Sequence, residues 1–337
     1  MPHTHEDLRR LLADLSQPDV EIQVAAKAHN DLLTKPQGAL GKLEDLAIWL
    51  AAWQGRVVPR LDKVQMLVFA GNHGVVERGV SAFPAEVTAQ MVANFSGGGA
   101  AINQLCKAAG AELKVLGLEL DRPTADFTES PAMDWDEFLA ALRQGMDQVD
   151  QDADLVCIGE MGIGNTTTSA AIAHALYGGE AGDWTGRGTG VDDAGLARKA
   201  AVVAAARIRH QDRLADPLEI ARCLGGRELA AMAGAALAAR QARIPLLIDG
   251  YVASAALAPF YGTAPGFLNH CWAAHVSAEP GHIRLLQRMG LSPLLDLGMR
   301  LGEGSGAATA IPLLRAAVAT HGGMASFADA GVAEKTD

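Results

Sequence analysis

The feature that most limits what this chain can fold into is a series of short, almost wholly apolar runs, most of them stopped by a loop containing glycine. Residues 64–70 run into Gly71-Asn72-His73-Gly74, and residues 155–158 run into Gly159-Glu160-Met161-Gly162-Ile163-Gly164-Asn165. Residues 244–248 run into Asp249-Gly250, and a weaker run at 293–297 leads to Gly298 and on to Gly302-Glu303-Gly304-Ser305-Gly306. Residues 113–118 form a further run. Runs that short, apolar at odd and even positions alike, suit strands covered on both faces. Helical patterns separate them, at 84–94, 167–177, 194–209 and 227–240. Strand–helix alternation predicts an α/β fold, a Rossmann-like parallel sheet with helices on both faces. Ligands of such sheets sit outside the carboxyl ends of the strands. The glycine loops, which also carry an acid or an amide, are therefore expected to converge on one site.

At roughly 150 residues per domain, 337 residues leave room for more than the sheet. Residues 1–60 carry helical signals. Thr4-x-x-Asp7 and Asp19 are candidate caps, and Leu43, Leu46, Ala47, Leu50 and Ala51 form an amphipathic stripe. Lys35-Pro36-Gln37-Gly38 is the turn between them. The expected organisation is an N-terminal helical segment, 1–60, packing with C-terminal helical elements as a small helical domain. A large α/β domain spans 61–304, and a C-terminal helix and tail span 305–337. The Gly/Ala-rich stretch 321–337 is expected to fray.

Charge narrows the function. With 28 Lys and Arg against 39 Asp and Glu, the net charge of −11 argues against a general nucleic-acid binder. Cys106, Cys157, Cys223 and Cys271 form no CxxC pair, which fits buried thiols in a reducing compartment better than a zinc ribbon. The first 15 residues are charged and helical rather than signal-like, and the Ala-rich run 229–239 is shorter than a membrane span. A cytoplasmic protein with no membrane partner is expected.

Three glycine loops could carry chemistry. In Gly159–Ser169, glycines allow close backbone approach, Asn165 is a candidate N-cap, and a helix follows. Such a terminus attracts an anion, with threonine hydroxyls as extra donors. An ordinary capped helix is the competing explanation, and no GxxxxGK[ST] is present. Gly186-Arg187-Gly188-Thr189-Gly190-Val191-Asp192-Asp193 also precedes a helix, with Asp192 or Asp193 as cap. Lys199, about two turns in, suits either a phosphate contact or, as a lone lysine more commonly does, a solvated face. In Gly302-Glu303-Gly304, the glutamate neither caps nor packs, so it reads as a general base in a crowded pocket or as a surface residue in a flexible turn. His73, His270, His275 and His282 match no metal spacing, and His73 suits a hydrogen-bonding role in its turn. Asp249-Gly250 could bind a sugar hydroxyl or simply turn the chain.

Ordered blocks extend these loops: Lys35-Pro-Gln-Gly-x-Leu-Gly-x-Leu43, Gly71-Asn-His-Gly-Val75, Glu86-Val-Thr-x-Gln-Met-Val92, Gly98-Gly-Ala-Ala-Ile-Asn103, Gly159-Glu-Met-Gly-Ile-Gly-Asn-Thr-Thr167 and Gly186-Arg-Gly-Thr-Gly190. Leu224-Gly-Gly226, Asp249-Gly250, His275-x-Ser-x-Glu-x-Gly-His282 and Leu297-Gly-Met-Arg-Leu-Gly-Glu-Gly-Ser-Gly-Ala-Ala308 complete them. Through these blocks the sequence resembles the nicotinate-nucleotide:5,6-dimethylbenzimidazole phosphoribosyltransferases of cobalamin synthesis over nearly its whole length. The resemblance implies transfer of phosphoribose from nicotinate mononucleotide to a benzimidazole nitrogen, with inversion at C1′, in a homodimer that uses neither cofactor nor metal. It implies Glu303 as the base that takes the proton of the acceptor. It implies Glu160, Gly162, Asn165, Thr166, Gly188, Thr189, Lys199, Asp249, Gly250 and Ser277 around the nucleotide, with Glu160 on a sugar hydroxyl or a second proton path. It implies His73, Ala85, Ala93 and Leu301 around the acceptor base. Some relatives place polar side chains at the positions matching Ala85 and Ala93, so a different acceptor, such as unsubstituted benzimidazole, adenine or a phenol, has room here. Two rival readings are a dinucleotide-dependent dehydrogenase, which lacks its strand-led GxGxxG here, and a nucleotide sensor without catalysis.

Overall fold

The computed structural model describes residues 1–188 and 190–333. Six strands form one sheet: β1 (Val64–Ala70), β2 (Glu112–Gly117), β3 (Leu155–Met161), β4 (Leu246–Ile248), β5 (Cys271–His275) and β6 (Pro293–Leu295). They lie in the order β2-β1-β3-β4-β5-β6, and every neighbouring pair is parallel. The chain leaves β1 toward β2 on one side and resumes with β3 on the other, which opens a crevice at the carboxyl ends of β1 and β3.

Both faces of the sheet are covered, and the strands show why their sequences are continuous apolar runs. Leu67, Phe69, Val156 and Ile158 belong to one buried cluster, which includes side chains of the helices Trp135–Met146, Arg227–Gln241 and Tyr251–Thr263. Their alternates Val64, Met66, Val68, Leu155 and Cys157 belong to a second, with the helices Lys42–Gln54, Ala101–Ala109 and Ser305–Gly323. On the first face the helices Trp135–Met146 and Arg227–Gln241 nearly touch. A side chain at Gly145 would strike the backbone of Ala231, and one at Gly234 would strike that of Leu142. That contact needs glycine and explains the alanine-rich composition of 227–241.

The expected strand at 293–297 is the sixth, and it stops at Leu295. The fifth, Cys271–His275, has no counterpart among the expected runs. Its sequence, Cys-Trp-Ala-Ala-His, is short and only partly apolar, and it follows a 3₁₀ turn containing Pro265 and Gly266. Thr4 and Asp7 make the expected capping box, and Asp19 caps Val20–Asp31 through the amide of Ile22 at 3.0 Å. The helices Val20–Asp31 and Lys42–Gln54 pack together, and Lys42–Gln54 packs on Ser305–Gly323. Of the stretch expected to fray, residues 321–327 are tied down and 334–337 lie outside the described residues. His321 is buried and its Nε2 lies 2.9 Å from the Val57 carbonyl, while Ser326 bridges to Leu33 and the Phe327 amide donates to the Leu32 carbonyl. All four cysteines are free and buried. No described helix is long and apolar enough to cross a membrane.

Candidate active site

The site is built where three glycine-containing turns meet above β3 and β4. The first follows β3. Glu160 is its penultimate residue, buried, and the Asn165 side-chain amide donates to its Oε2. The N-cap of the helix Asn165–Tyr177 is Gly164 at φ +96°, not Asn165 as expected. A left-handed cap favours glycine, and this frees the Asn165 side chain for Glu160. Thr166, in the first turn of the helix, accepts from Lys199 Nζ at 2.9 Å. Lys199 is not on a solvated face: it is 1% exposed, in line with Gly195, Val202, Val203 and Ala206 on the inner side of Asp193–Arg209. Burial lowers its pKa to about 8, opposed by the charge of Glu279.

The second turn, 186–190, is pinned on either side of Gly188. Its amide donates to Glu279 Oε1 at 3.0 Å, and its carbonyl accepts from Arg300 Nη1 at 2.8 Å. Asp192, not Asp193, caps the following helix. Thr189 lies outside the described residues.

The third turn carries Glu303. Gly302, Glu303 and Gly304 have φ of +81°, +63° and +80°, three consecutive left-handed residues of which only the central one has a side chain. The Glu303 amide donates to the Glu160 carbonyl at 3.1 Å, which hangs the turn on the end of β3. A Cβ at Gly302 would stand 2.5 Å from Glu160 Oε1 and displace that carboxyl; none fits at Gly159, where the Gly304 amide lies. The backbone of Glu303 is thus joined to the strand that leads into the turn presenting Asn165 and Thr166; Gly302 lines the cleft with them, whereas Glu303 itself is not among its lining residues. Glu303 is 6% exposed, and its pKa is raised by burial and then by the charge of Asp249. Burial, with Asp249 and Glu228, lifts Glu160 to about 8 against the pull of Asn165.

One cleft is lined by Glu160, Gly162, Asn165, Thr166, Gly188, Gly250, Ser277, Leu301 and Gly302. An adjoining recess shares Gly162, Asn165 and Thr166 and adds Lys199. Asp249 is buried beneath the Glu303 turn and is not among the lining residues. His73 is 2% exposed behind the first turn, its Nε2 lying 2.6 Å from Glu228 Oε1 and its Nδ1 3.2 Å from Thr168 Oγ1. Ala85 precedes the helix Glu86–Ser96 and Ala93 is exposed on it, so neither lines the cleft. Glu279, Arg300 and Tyr251 do line it and were not singled out in the sequence, and His275, weighed there only as a metal ligand, lines it as well. Glu279 and His275 stand within the block 275–282, but nothing local separates their roles from that of Ser277. Among the described residues, no group of three or more His, Cys, Asp or Glu is arranged to hold a metal ion.

A family model described as DBI_PRT, phosphoribosyltransferase, matches residues 15–332. The chain is 61% identical over 330 residues, covering 98% of both chains, to the nicotinate-nucleotide–dimethylbenzimidazole phosphoribosyltransferase of Mesorhizobium japonicum. The chain belongs to the nicotinate-nucleotide–dimethylbenzimidazole phosphoribosyltransferase family. A family member from Ruegeria pomeroyi is 61% identical over 326 residues, covering 97% of this chain and 96% of its own. Among solved structures, the family's CobT from Thermus thermophilus superposes with a TM-score of 0.86 at 44% identity, covering 94% of this chain and all of that one. Membership makes this chain an enzyme of the phosphoribosyltransferase class and confirms the α/β fold.

Proposed function

We propose that this enzyme moves the phosphoribosyl group of nicotinate mononucleotide onto a ring nitrogen of 5,6-dimethylbenzimidazole or a related base, releasing nicotinate and α-ribazole 5′-phosphate. The observation that carries the reading is the joining of the Glu303 turn to the end of β3: a buried carboxyl of raised pKa follows Gly302, which lines the cleft with the helix start at Asn165 and Thr166, and Lys199 backs that start from the adjoining recess. Amides at a helix start, threonine hydroxyls and a buried ammonium suit a 5′-phosphate. Nicotinate leaves from a pyridinium, so the carbon–nitrogen bond breaks toward a neutral ring nitrogen without a diphosphate to neutralise. The acceptor attacks C1′ from the opposite face, and configuration inverts. As its nitrogen bonds to carbon, the other ring nitrogen loses its proton to Glu303, whose raised pKa makes it a stronger base. Glu160, protonated near neutrality, donates to a sugar hydroxyl. Holding two rings on either side of one carbon supplies much of the rate. The mechanism asks for no metal and no cofactor, and activity in EDTA checks this.

Three further readings belong to the proposal: the helical segment 1–60 packs with C-terminal helical elements as a small domain beside the α/β domain 61–304, the working form is a cytoplasmic homodimer, and Leu301, which lines the cleft, borders the acceptor. Sedimentation tests the dimer.

Nicotinate released from nicotinate mononucleotide in the presence of each of a panel of bases measures the reaction. Glu303→Gln is expected to lower turnover by about 10²–10⁴-fold, with nucleotide affinity kept. Full turnover in that variant removes Glu303 from the chemistry. A protein that binds the nucleotide but releases no nicotinate with any base is a sensor instead.

A further inference from the structure

We infer that Asp249 is a positioning residue for Glu303: its carboxylate fills the anion position at the amino terminus of the helix Ser305–Gly323 and thereby holds the turn that carries the base. The inference rests on the reading of Glu303 given above. Asp249 follows β4 and is 1% exposed. Its Oδ2 accepts from the Gly304 amide at 3.1 Å and its Oδ1 from the Ala307 amide at 2.9 Å. The first amides of a helix have no partner within it, and an anion placed there satisfies them and the helix dipole together. Here an acid from another strand supplies what a substrate anion would supply at an open terminus. With the Glu303 amide on the Glu160 carbonyl at 3.1 Å, the turn is fastened at residues 303, 304 and 307 by the ends of β3 and β4. A side chain in the left-handed region persists only where its surroundings hold it, and this clamp does so.

Both Asp249 oxygens are thus engaged with the turn, which leaves the cleft to Gly250. The titratable groups around Glu303 come from every neighbouring element: Glu160 from β3, Asp249 after β4, His275 from β5, and Glu228 from Arg227–Gln241 behind Glu160. His275 Nε2 lies 3.8 Å from Asp249 Oδ1. Among these charges, Asp249 is the one that lifts Glu303 beyond the effect of burial. Asp249 therefore sets both where the base stands and how basic it is.

Asp249→Asn tests this, because it removes the charge and turns one acceptor into a donor facing an amide. The pH profile of kcat/KM and the KM for nicotinate mononucleotide are measured beside those of Glu303→Gln. The acidic limb, which follows ionisation of Glu303, is expected to move to lower pH by about one unit. Turnover at the plateau falls roughly 10-fold or more as the base is displaced, with the nucleotide KM unchanged. An unmoved limb overturns the inference, whether KM stays or rises; a raised KM would return Asp249 to the substrate. If Glu303→Gln is inactive while the limb in Asp249→Asn stays put, only this inference fails; if Glu303→Gln is active, the base assignment fails and takes this one with it. Should the Asn variant not fold, Asp249→Glu keeps the charge on a longer arm. It is expected to keep the wild-type limb at lowered turnover, and wild-type turnover there overturns the inference.

Discussion

The turns at 162–164 and 302–304 are built alike and used oppositely. Each leads from the carboxyl end of the sheet into a long helix, and each ends in a left-handed glycine as N-cap, Gly164 at φ +96° and Gly304 at φ +80°. At the first, the side chains gathered on the helix start are Asn165, Thr166 and the ammonium of Lys199, and the terminus faces the cleft. At the second, the terminus is closed by Asp249, and the turn carries a buried carboxyl on a backbone conformation that favours glycine. The same backbone device offers an anion site in one place and a base in the other, and the choice is made by which acid or cation the rest of the fold brings beside it.

Three experiments sharpen that contrast or break it. The largest effect is expected at Glu160, on which both turns converge. A carboxyl raised to about 8 in the folded protein binds a proton there that the unfolded chain gives up, so folding stability falls as pH rises from the ordinary carboxylate range through 8. Glu160→Gln removes this slope, and denaturant unfolding of the two proteins should diverge by on the order of 3 kcal/mol between pH 5 and pH 8.5. Parallel curves would mean that Glu160 is ionised throughout and that the carboxyl cluster is wetter than its burial indicates. Next comes Lys199→Ala, which empties the cationic side of the first turn. Calorimetric affinity for nicotinate mononucleotide should drop by about 2 kcal/mol, the worth of one hydrogen bond to a charged group. Wild-type affinity would leave the first turn without its cation and the contrast without one of its poles. The smallest effect is on the second turn itself. Glu303→Gly relieves a left-handed side chain and removes a buried carboxyl, so the inactive protein should be more stable by about 1 kcal/mol in thermal or chemical unfolding. A destabilised variant would show that the Glu303 side chain holds the turn rather than straining it.

Much of this was legible in the sequence, and the omissions have physical causes. β1 and β3 stood out because strands buried on both faces are apolar at every position. β5 did not, since five residues bounded by Cys271 and His275 carry too little of that pattern, and only pairing with β4 and β6 makes them a strand. The glycines of 302–304 flagged Glu303 because glycine on both sides of an acid is expensive unless the backbone needs it. Asp249 was read as a sugar-hydroxyl contact or a turn residue, not as a partner of the Glu303 turn. Its partners lie 55 and 58 residues further along the chain, beyond the reach of any local pattern. For Lys199 the solvated-face alternative was weighed too heavily, although a signal against it was present. It stands at i+4 from Gly195 and at i−3 and i−4 from Val202 and Val203, so the helical period already put it on the inner stripe. Composition says that a lone lysine is solvated; phase said otherwise.

The all-parallel sheet has a bearing on how this enzyme comes into being. Each hydrogen-bonded strand pair is separated by a crossover, and β1 must find a partner some ninety residues downstream before the crevice between them exists. The two turns that meet beside β3 are then gathered from stretches as far apart as Glu160 and Glu303. Contacts so distant in sequence form late and slowly. The cleft is therefore assembled only late: a polypeptide cut in a crossover between the two turns before it has folded holds the turn after β3 without the one that follows β6.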